Sequence, residues 1–224
     1  MPKTLTGFQR KVLKEIGESE LSRFFIWSGG TALSYRYLHH RLSADLDFMS
    51  QDLFPDDYLL SQIKKIAKNL RIKKIEEQKK FNRHEFWFKK DIKILRIEFV
   101  FYPFLYIKKP QKIKEFNIKI DSIEDILTNK VHTVYERAEP KDIFDFYCIL
   151  QTKKINFLKI FKWVEKKFGV EIDPVLFASK ALQGVDSLNK IRPVILKKEL
   201  FRSNKIKEYF QREAENYLKR KTKK

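Results

Sequence analysis

Three acidic residues in the first half of the chain have the spacing for joint chemistry. Asp45 and Asp47 lie in the run Asp45-Leu46-Asp47-Phe48, and Glu98 lies in a later apolar run. If 45–48 is a strand, both aspartates project from one face, and Leu46 and Phe48 face the core. Neighbouring carboxylates repel each other unless a cation lies between them, and Mg²⁺ prefers such oxygen ligands. The pair therefore indicates a magnesium site, although an exposed strand end would also explain it.

Glu98 is the third candidate ligand. Alternation along 96–101 places Ile97, Phe99 and Phe101 on one face and Glu98 on the other. A carboxylate in such an apolar strand is unfavourable without a partner. Beside the Asp45–Asp47 strand, it would complete a three-carboxylate site able to hold two metal ions. A salt bridge with Arg96 or a nearby lysine explains Glu98 equally well.

A glycine turn precedes these acids in the chain. Ser28-Gly29-Gly30-Thr31 joins a short aromatic run to a helical pattern. Glycine lets backbone N–H groups approach a phosphate closely, and a helix that starts there adds further unpaired amides. The hydroxyl of Thr31 could donate one more hydrogen bond. An ordinary turn is the alternative.

Elements that position these residues follow from hydrophobic periodicity. The first half mixes helices and strands, and after Asp121 the pattern is helical only. We therefore predict an α+β protein with two domains, 1–120 and 121–224, of which the second is a helical bundle. In the first domain, the predicted strands are 23–28, 44–50, 71–77, 84–89 and 93–101, and the predicted helices include 31–39 and 55–70.

In the second domain, Ser122 begins the first predicted helix and Pro140 the second. The third spans 157–168 and ends at Gly169, which can adopt the left-handed conformation of a helix end. The fourth begins at Asp173-Pro174 and ends at Gly184. A basic fifth helix is predicted over 193–219.

Composition excludes several classes of protein. Hydrophobic residues make up 43% of 224, which is enough for a packed core, and no apolar run approaches the roughly 18 residues of a membrane span. The single cysteine, Cys148, fits a reducing compartment, so we expect the cytoplasm. His39 and His40 have no cysteine or further histidine nearby, which argues against a zinc site.

Charge is the strongest compositional signal. The chain has 48 basic and 29 acidic residues, a net charge of +19, and 191–224 alone has a net charge of +8. Such an excess favours polyanions, nucleic acid among them. A lysine-rich composition spread over every surface is the alternative.

Several blocks together resemble one family. They are Ser28–Leu33, His40–Ser43, Asp45–Phe48, Lys130-Val131, Arg137 and Lys141–Tyr147. Their order and spacing are similar to the AbiEii/AbiGii-type nucleotidyltransferase toxins of abortive-infection and toxin–antitoxin systems. The wider DNA polymerase β-like superfamily shares the glycine turn, the D-x-D strand and a third acidic strand. The resemblance implies a nucleotidyltransferase fold, a mixed sheet with flanking helices, for the first domain.

The resemblance also implies roles for the matched residues. Asp45 and Asp47 would ligate Mg²⁺, or Mn²⁺, that bridges the triphosphate. Glu98 would help to hold a second metal or activate the attacking hydroxyl. The turn that starts at Ser28 would cradle the β- and γ-phosphates through Gly29, Gly30 and Thr31.

Four further residues have implied roles. Arg41 and Ser43 would touch the nucleotide or orient Asp45. Lys130 would neutralise phosphate charge, and Asp142 would lie near the site. Favourable placement in the first turn of a helix also explains Asp142, and a solvated helix position explains Lys130.

The implied reaction is in-line attack of an acceptor hydroxyl on the α-phosphate of a nucleoside triphosphate, which releases pyrophosphate. RNA, in particular a tRNA 3′ end, is the acceptor that the resemblance favours, and a cognate antitoxin is an expected partner. Two alternatives stay open. The chain could nucleotidylate a protein or small molecule, or it could be a non-catalytic module that binds nucleic acid or an antitoxin.

Overall fold

The computed structural model describes residues 4–223 of the chain. The chain divides into two compact units, Met1–Ser122 and Ile123–Lys224. The first combines helices with a mixed sheet, and the second is helical. The sequence places the boundary at residue 120, two residues before the division of the structure.

Helices and strands alternate in the first unit. In chain order they are α1 Gly7–Glu18, α2 Leu21–Phe24, β1 Ile26–Ser28, α3 Gly29–Leu33, a π-helix Ser34–Leu38, β2 Leu46–Ser50, α4 Asp56–Asn69, β3 Lys74–Lys80, β4 Arg83–Lys90, β5 Lys93–Phe101, β6 Gln111–Ile113 and β7 Ile118–Ile120. Within residues 4–223, seven strands form one sheet in the order β3-β4-β5-β2-β1-β7-β6. The β2–β5 and β1–β7 pairs are parallel and the other pairs are antiparallel.

Alternation along the strands gives the sheet an apolar face. Phe48 of β2 is the cross-strand partner of Phe99 in β5, and their rings stack with centroids 5.2 Å apart. Leu46 and Ile97, one register step away, are fully buried. Buried apolar side chains fix which face of each strand is turned to the core, and therefore also fix the face that the intervening acidic residues occupy.

Several predicted elements of this unit need correction. The predicted strand 23–28 begins only at Ile26, because the preceding residues form a helical turn in which the Phe25 N–H donates to the Leu21 carbonyl. The predicted helix 31–39 begins earlier, at Gly29. Strands β6 and β7 were not predicted, and β7 extends the sheet by pairing with β1.

The second unit contains α5 Ile123–Arg137, α6 Pro140–Lys153, α7 Phe157–Phe168, α8 Pro174–Val185, two 3-10 turns at Leu188–Val194 and Lys198–Leu200, and α9 Ser203–Lys221. Four aromatic rings from four helices meet in its core: Phe146, Phe157, Phe177 and Phe210. Such edge and stacked contacts add to the stabilisation from burial itself. Among the helices of residues 4–223, none combines the length and the apolar character that a bilayer span requires.

The helix bounds of this unit agree with the sequence in part. Helix α7 has the predicted bounds, with Gly169 in the left-handed conformation at φ +66°. The prediction that Gly184 ends the fourth helix is wrong, because α8 continues through it to Val185. There a side chain would meet the Ala138 carbonyl oxygen, so this glycine serves close packing. The predicted helix 193–219 is also wrong in its first part, since α9 begins only at Ser203.

Gly17 offers a direct test of packing between α1 and the chain before β7. A Cβ at Gly17 would lie 1.6 Å from the Phe116 carbonyl oxygen, whereas a Cβ at Gly7 in the same helix would meet nothing within 4 Å. We expect Gly17→Ala to lower the free energy of unfolding by about 2 kcal/mol or more, because backbone must move to admit the methyl group. Gly7→Ala should leave it unchanged or slightly higher. Urea denaturation of both variants measures this, and equal stabilities would contradict the close approach.

Candidate active site

The register of the sheet creates a row of polar side chains on the face opposite the aromatic core. Asp47 of β2 is the cross-strand partner of Ser28 in β1 and of Glu98 in β5, and Glu98 is in turn the partner of Glu85 in β4. Directly paired residues project from the same face with Cβ atoms about 5 Å apart. Two of the three predicted carboxylates therefore lie side by side, and Glu85 is a fourth acid that the sequence analysis missed. Its signal was the same as that of Glu98, an acid within a run of aromatic residues.

Two arginines accompany these acids. The Arg96 Nη2 atom lies 3.0 Å from Asp45 Oδ2 and 3.5 Å from Glu98 Oε2, and Arg96 Nη1 lies 3.7 Å from Glu85 Oε1. Arg83 Nε lies 3.0 Å from Glu98 Oε1. The ion pair of Glu98 with Arg96, the alternative to a metal role, is thus present.

Burial and neighbouring charge perturb the ionisation of Glu98. Burial, and after it the negative charge of Asp47, raise the pKa of its carboxyl to about 7 against the opposing effect of Arg83 and Arg96. The raised pKa shows that burial and Asp47 together outweigh the stabilisation that the two arginines give to the charged carboxylate. Burial would lower the pKa of Arg96, but Asp45 and Glu98 outweigh it and raise that pKa instead.

Gly29 makes the approach of β2 to the turn possible. It has φ +74°, and a Cβ there would lie 1.9 Å from Asp47 Oδ2. Only glycine satisfies both the conformation and the contact. A Cβ on Gly30 would lie 2.5 Å from Arg41 Nη2 and 3.0 Å from Ser43 Oγ. The turn and the loop before β2 are therefore pressed together, which brings five of the predicted site residues into one place.

Hydrogen bonds from other segments fix the loop before β2. The hydroxyl of buried Thr31 donates to the Asp45 carbonyl, so it serves the acidic loop within the chain. Gln9 Nε2 donates to the Ser43 and Ala44 carbonyls at 2.8 and 2.9 Å, a positioning role that the sequence analysis missed. Ser28 Oγ donates to Asp121 Oδ2 at 2.8 Å. The loop that carries Asp45 is therefore held by α1 and by the glycine turn, and Ser28, the cross-strand partner of Asp47, is held by Asp121.

Lys130 and Asp142 form a second polar cluster, within the helical unit. Lys130 Nζ contacts Asp142 and lies 2.7 Å from Asp145 Oδ2. Arg137 Nη2 lies 2.7 Å from Asp142 Oδ2. Burial would raise the pKa of the Asp142 carboxyl, but the charges of Lys130 and Arg137 hold it below its usual value. The four formal charges cancel, so the cluster ties α5 to α6.

A buried ion pair joins α7 to α5 in the same unit. Lys167 Nζ lies 2.7 Å from Asp125 Oδ1, and the side chains are 2% and 0% exposed. Local spacing could not predict this pair, because the partners are 42 residues apart.

The donor set of the sheet face fits a hard divalent cation in chemistry. All its candidate ligands are carboxylate oxygens, which Mg²⁺ prefers. Within residues 4–223, no group of three or more histidine, cysteine or acidic side chains stands in metal-holding geometry. Asp47 and Glu98 are direct cross-strand partners, and Asp45 is paired with Arg96.

Comparison with known proteins identifies the family of this chain. The model of the family described as "Nucleotidyl transferase AbiEii toxin, Type IV TA system" matches residues 11–221. The chain belongs to this nucleotidyltransferase family. Membership in a type IV toxin–antitoxin family implies a cognate antitoxin partner, and nucleotidyltransferases of this kind generally use divalent metals.

Individual relatives of this AbiEii protein are distant. An uncharacterised protein of Aquifex aeolicus, aq_aa25, is 26% identical over 214 residues, which cover 91% of this chain and 96% of that protein. Two Helicobacter pylori crystal structures share the fold at 19% identity. One, described as a proposed nucleotidyltransferase, has a TM-score of 0.59 and covers 94% of this chain and 93% of its own. The other, JHP933, has a TM-score of 0.57 with 96% and 92% covered.

The Lys130 cluster yields a stability prediction. Lys130→Met leaves Asp142 and Asp145 buried with less positive charge, so we expect the free energy of unfolding to fall by about 3–5 kcal/mol. The same change at exposed Lys162 in α7 should alter it by less than about 0.5 kcal/mol. Chemical denaturation measures both. Equal effects would show that the cluster contributes nothing specific.

Ionisation of Glu98 yields a pH prediction for the metal-free protein. Its folded-state pKa of about 7 lies above the ordinary value of 4.5, so the folded state keeps a proton that the unfolded state loses. Stability from this group therefore falls as pH rises from about 4.5 to 7. Glu98→Gln removes this dependence, and its stability relative to wild type should rise by up to about 3 kcal/mol across that window. Unfolding in EDTA at several pH values measures the difference, and parallel curves would refute the assignment.

Proposed function

We propose that this AbiEii protein transfers a nucleoside monophosphate from a nucleoside triphosphate to an acceptor hydroxyl, with Mg²⁺ or Mn²⁺ held by Asp45, Asp47 and Glu98. The observation that carries the proposal is the direct pairing of Asp47 with Glu98 beside the Gly29 turn. Two acids pressed together on a sheet face are unfavourable unless a positively charged ligand joins them.

The reaction forms a bond between the acceptor oxygen and the α-phosphorus, and the bond to the β-phosphate oxygen breaks to release pyrophosphate. A divalent cation, when bound, supplies neutralisation of the charge on the phosphates. Glu98 would accept the proton of the attacking hydroxyl where its carboxylate does not hold the cation.

Nucleotide binding is assigned to the turn and the loop before β2. The backbone amides of Gly29, Gly30 and Thr31 would receive the β- and γ-phosphates, because no Cβ from the glycines intervenes. The side chain of Thr31 serves Asp45 instead. Arg41 and Ser43, which lie against Gly30, would orient the nucleotide or the acidic loop.

For Lys130 and Asp142 we propose a structural role. Lys130 is paired with Asp142 and Asp145, so a phosphate contact would require its ammonium group to leave both carboxylates. Such a release leaves buried charges unpaired, which is unfavourable. Their contribution to transfer is therefore to fix α5 against α6.

RNA, in particular a tRNA 3′ end, is the acceptor that we propose. The net charge of +19 supports it, because a strongly basic protein attracts a polyanion at long range. Affinity for RNA should then fall steeply with salt, since each phosphate contact releases condensed counterions.

A labelling assay tests the proposal. It measures transfer of label from α-labelled ATP, GTP, CTP and UTP to total tRNA in the presence of Mg²⁺. Wild type should label RNA with at least one nucleotide, and Asp47→Ala should reduce the initial rate by about 100-fold or more, since a charged group at the reacting centre is lost. Asp57→Ala, at an exposed acid in α4, is the matched control and should retain the rate of wild type.

Each outcome has a separate meaning. Label on RNA that depends on Asp47 supports both the reaction and the acceptor. Label on a protein or small molecule, and none on RNA, would overturn the RNA acceptor but keep the transferase. Transfer that survives Asp47→Ala unchanged would overturn the assigned site.

A further inference from the structure

Arg96 pairs with three of the four acids on the polar face of the sheet, which we call the acidic row: Asp45, Asp47, Glu85 and Glu98. Its two terminal nitrogens reach Asp45, Glu98 and Glu85 at 3.0, 3.5 and 3.7 Å, respectively. These acids come from three separate segments: the loop before β2, strand β5 and strand β4. The guanidinium group therefore lies among the carboxylates, where it shields them from one another.

The sheet face has a net negative formal charge when its acids are ionised. Four carboxylates, Asp45, Asp47, Glu85 and Glu98, lie with three arginines, which are Arg83, Arg96 and the Arg41 that lies against Gly30. One negative charge remains, which attracts a cation. A cation placed between the acids would, however, meet the positive charge of Arg96 at short range.

The hydrogen bonding of the Arg96 guanidinium is incomplete. Its contacts to the acids all come from the two terminal nitrogens, and its buried Nε has no hydrogen-bond acceptor among the described residues. A guanidinium with an unsatisfied donor is held less firmly than one with all five donors engaged. Its removal from the acids therefore breaks ion pairs but not a complete hydrogen-bond network.

We propose that Arg96 occupies the cation side of the acidic row in the metal-free protein, and that a divalent cation must displace it from Asp45 and Glu98 in order to bind. The inference rests on the proposed metal role of these acids. Arg96 is then a positioning residue. It holds mutually repelling carboxylates together before the metal arrives, and it weakens the metal affinity that the bare acids would have.

Titration of the nucleotide-free protein with Mn²⁺ tests the inference without any turnover. The electron paramagnetic resonance signal of free Mn²⁺ reports how much of the ion is bound. Arg96→Met removes the competing charge and keeps an unbranched stem. We expect it to bind Mn²⁺ about tenfold more tightly than wild type, because loss of a like charge a few ångströms from the ion is worth at least that factor. Arg23→Met is the matched control, since exposed Arg23 pairs with Glu20 at the start of α2. It should bind as wild type does.

Stability supplies a second measurement on the same variants. In EDTA, Arg96→Met should melt below wild type, since the acids lose their counter-ion. Saturating Mn²⁺ should raise its melting temperature by more than it raises that of wild type. If Arg96→Met does not fold, Arg96→Lys takes its place. Lysine keeps the charge but lacks the fork that reaches several acids, so its Mn²⁺ affinity should lie above that of wild type.

Failure of this inference is distinguishable from failure of the proposed function. If wild type binds Mn²⁺ and Arg96→Met binds it equally or more weakly, Arg96 is not a competitor and the inference is overturned. If wild type and every Arg96 variant bind no Mn²⁺, the metal role of the acids is overturned with it. Tighter binding by the variant supports both.

Discussion

Parallel pairing of β2 with β5 is the constraint on which the site depends. It sets Asp47 beside Glu98 on a sheet whose other face is closed by the stacked rings of Phe48 and Phe99. The aromatic pair cannot turn to the other face without loss of the core, so the acids cannot separate along the strands. Burial of apolar area thereby maintains an electrostatic repulsion that the chain would otherwise relax. The share of Asp47 in the raised pKa of Glu98, and the pairing of Glu98 with two arginines, follow from this forced proximity.

Support for the acidic face comes from parts of the chain that carry no chemistry of their own. Gly29 lets Asp47 approach the turn, and Gln9 on α1 holds the loop that leads into β2. In the helical unit, buried pairs such as Lys167–Asp125 fix helices in the same manner, by charges that cannot leave each other. Buried polar groups in this protein thus hold neighbouring segments in place, since an unpaired buried charge is far less stable than a paired one.

Local sequence patterns predicted the features that depend on neighbours in the chain. The glycine turn, the D-x-D spacing, the Pro140 helix start and the bounds of α7 all depend on residues within a few positions of one another. The family assignment followed from the same blocks and is confirmed by the match over residues 11–221. The metal, nucleotide and acceptor roles of individual residues stay predictions, because they concern ligands that lie outside the chain.

Features that depend on distant partners were missed. Strand β7 is only three residues long, and its place in the sheet comes from pairing with β1 some 90 positions earlier. Gly184 resembled a helix end, yet its role is contact with Ala138. The position of Arg83 and Glu85 beside these acids depends on the register of β4 against β5, which the sequence does not contain. Single-sequence patterns contain no register, so they could name the acids of one strand but not their neighbours across the sheet.

The same register has a consequence for how this sequence can change over evolutionary time. Insertion or deletion of one residue within β2 or β5 would exchange the two faces, so that aromatic rings replace the acids and the acids enter the core. The β3–β4 hairpin tip is different, since Phe81 there is fully exposed and its backbone lies at the turn. Length variation among descendants of this chain should therefore accumulate at the hairpin tip, while the two central strands change by substitution alone.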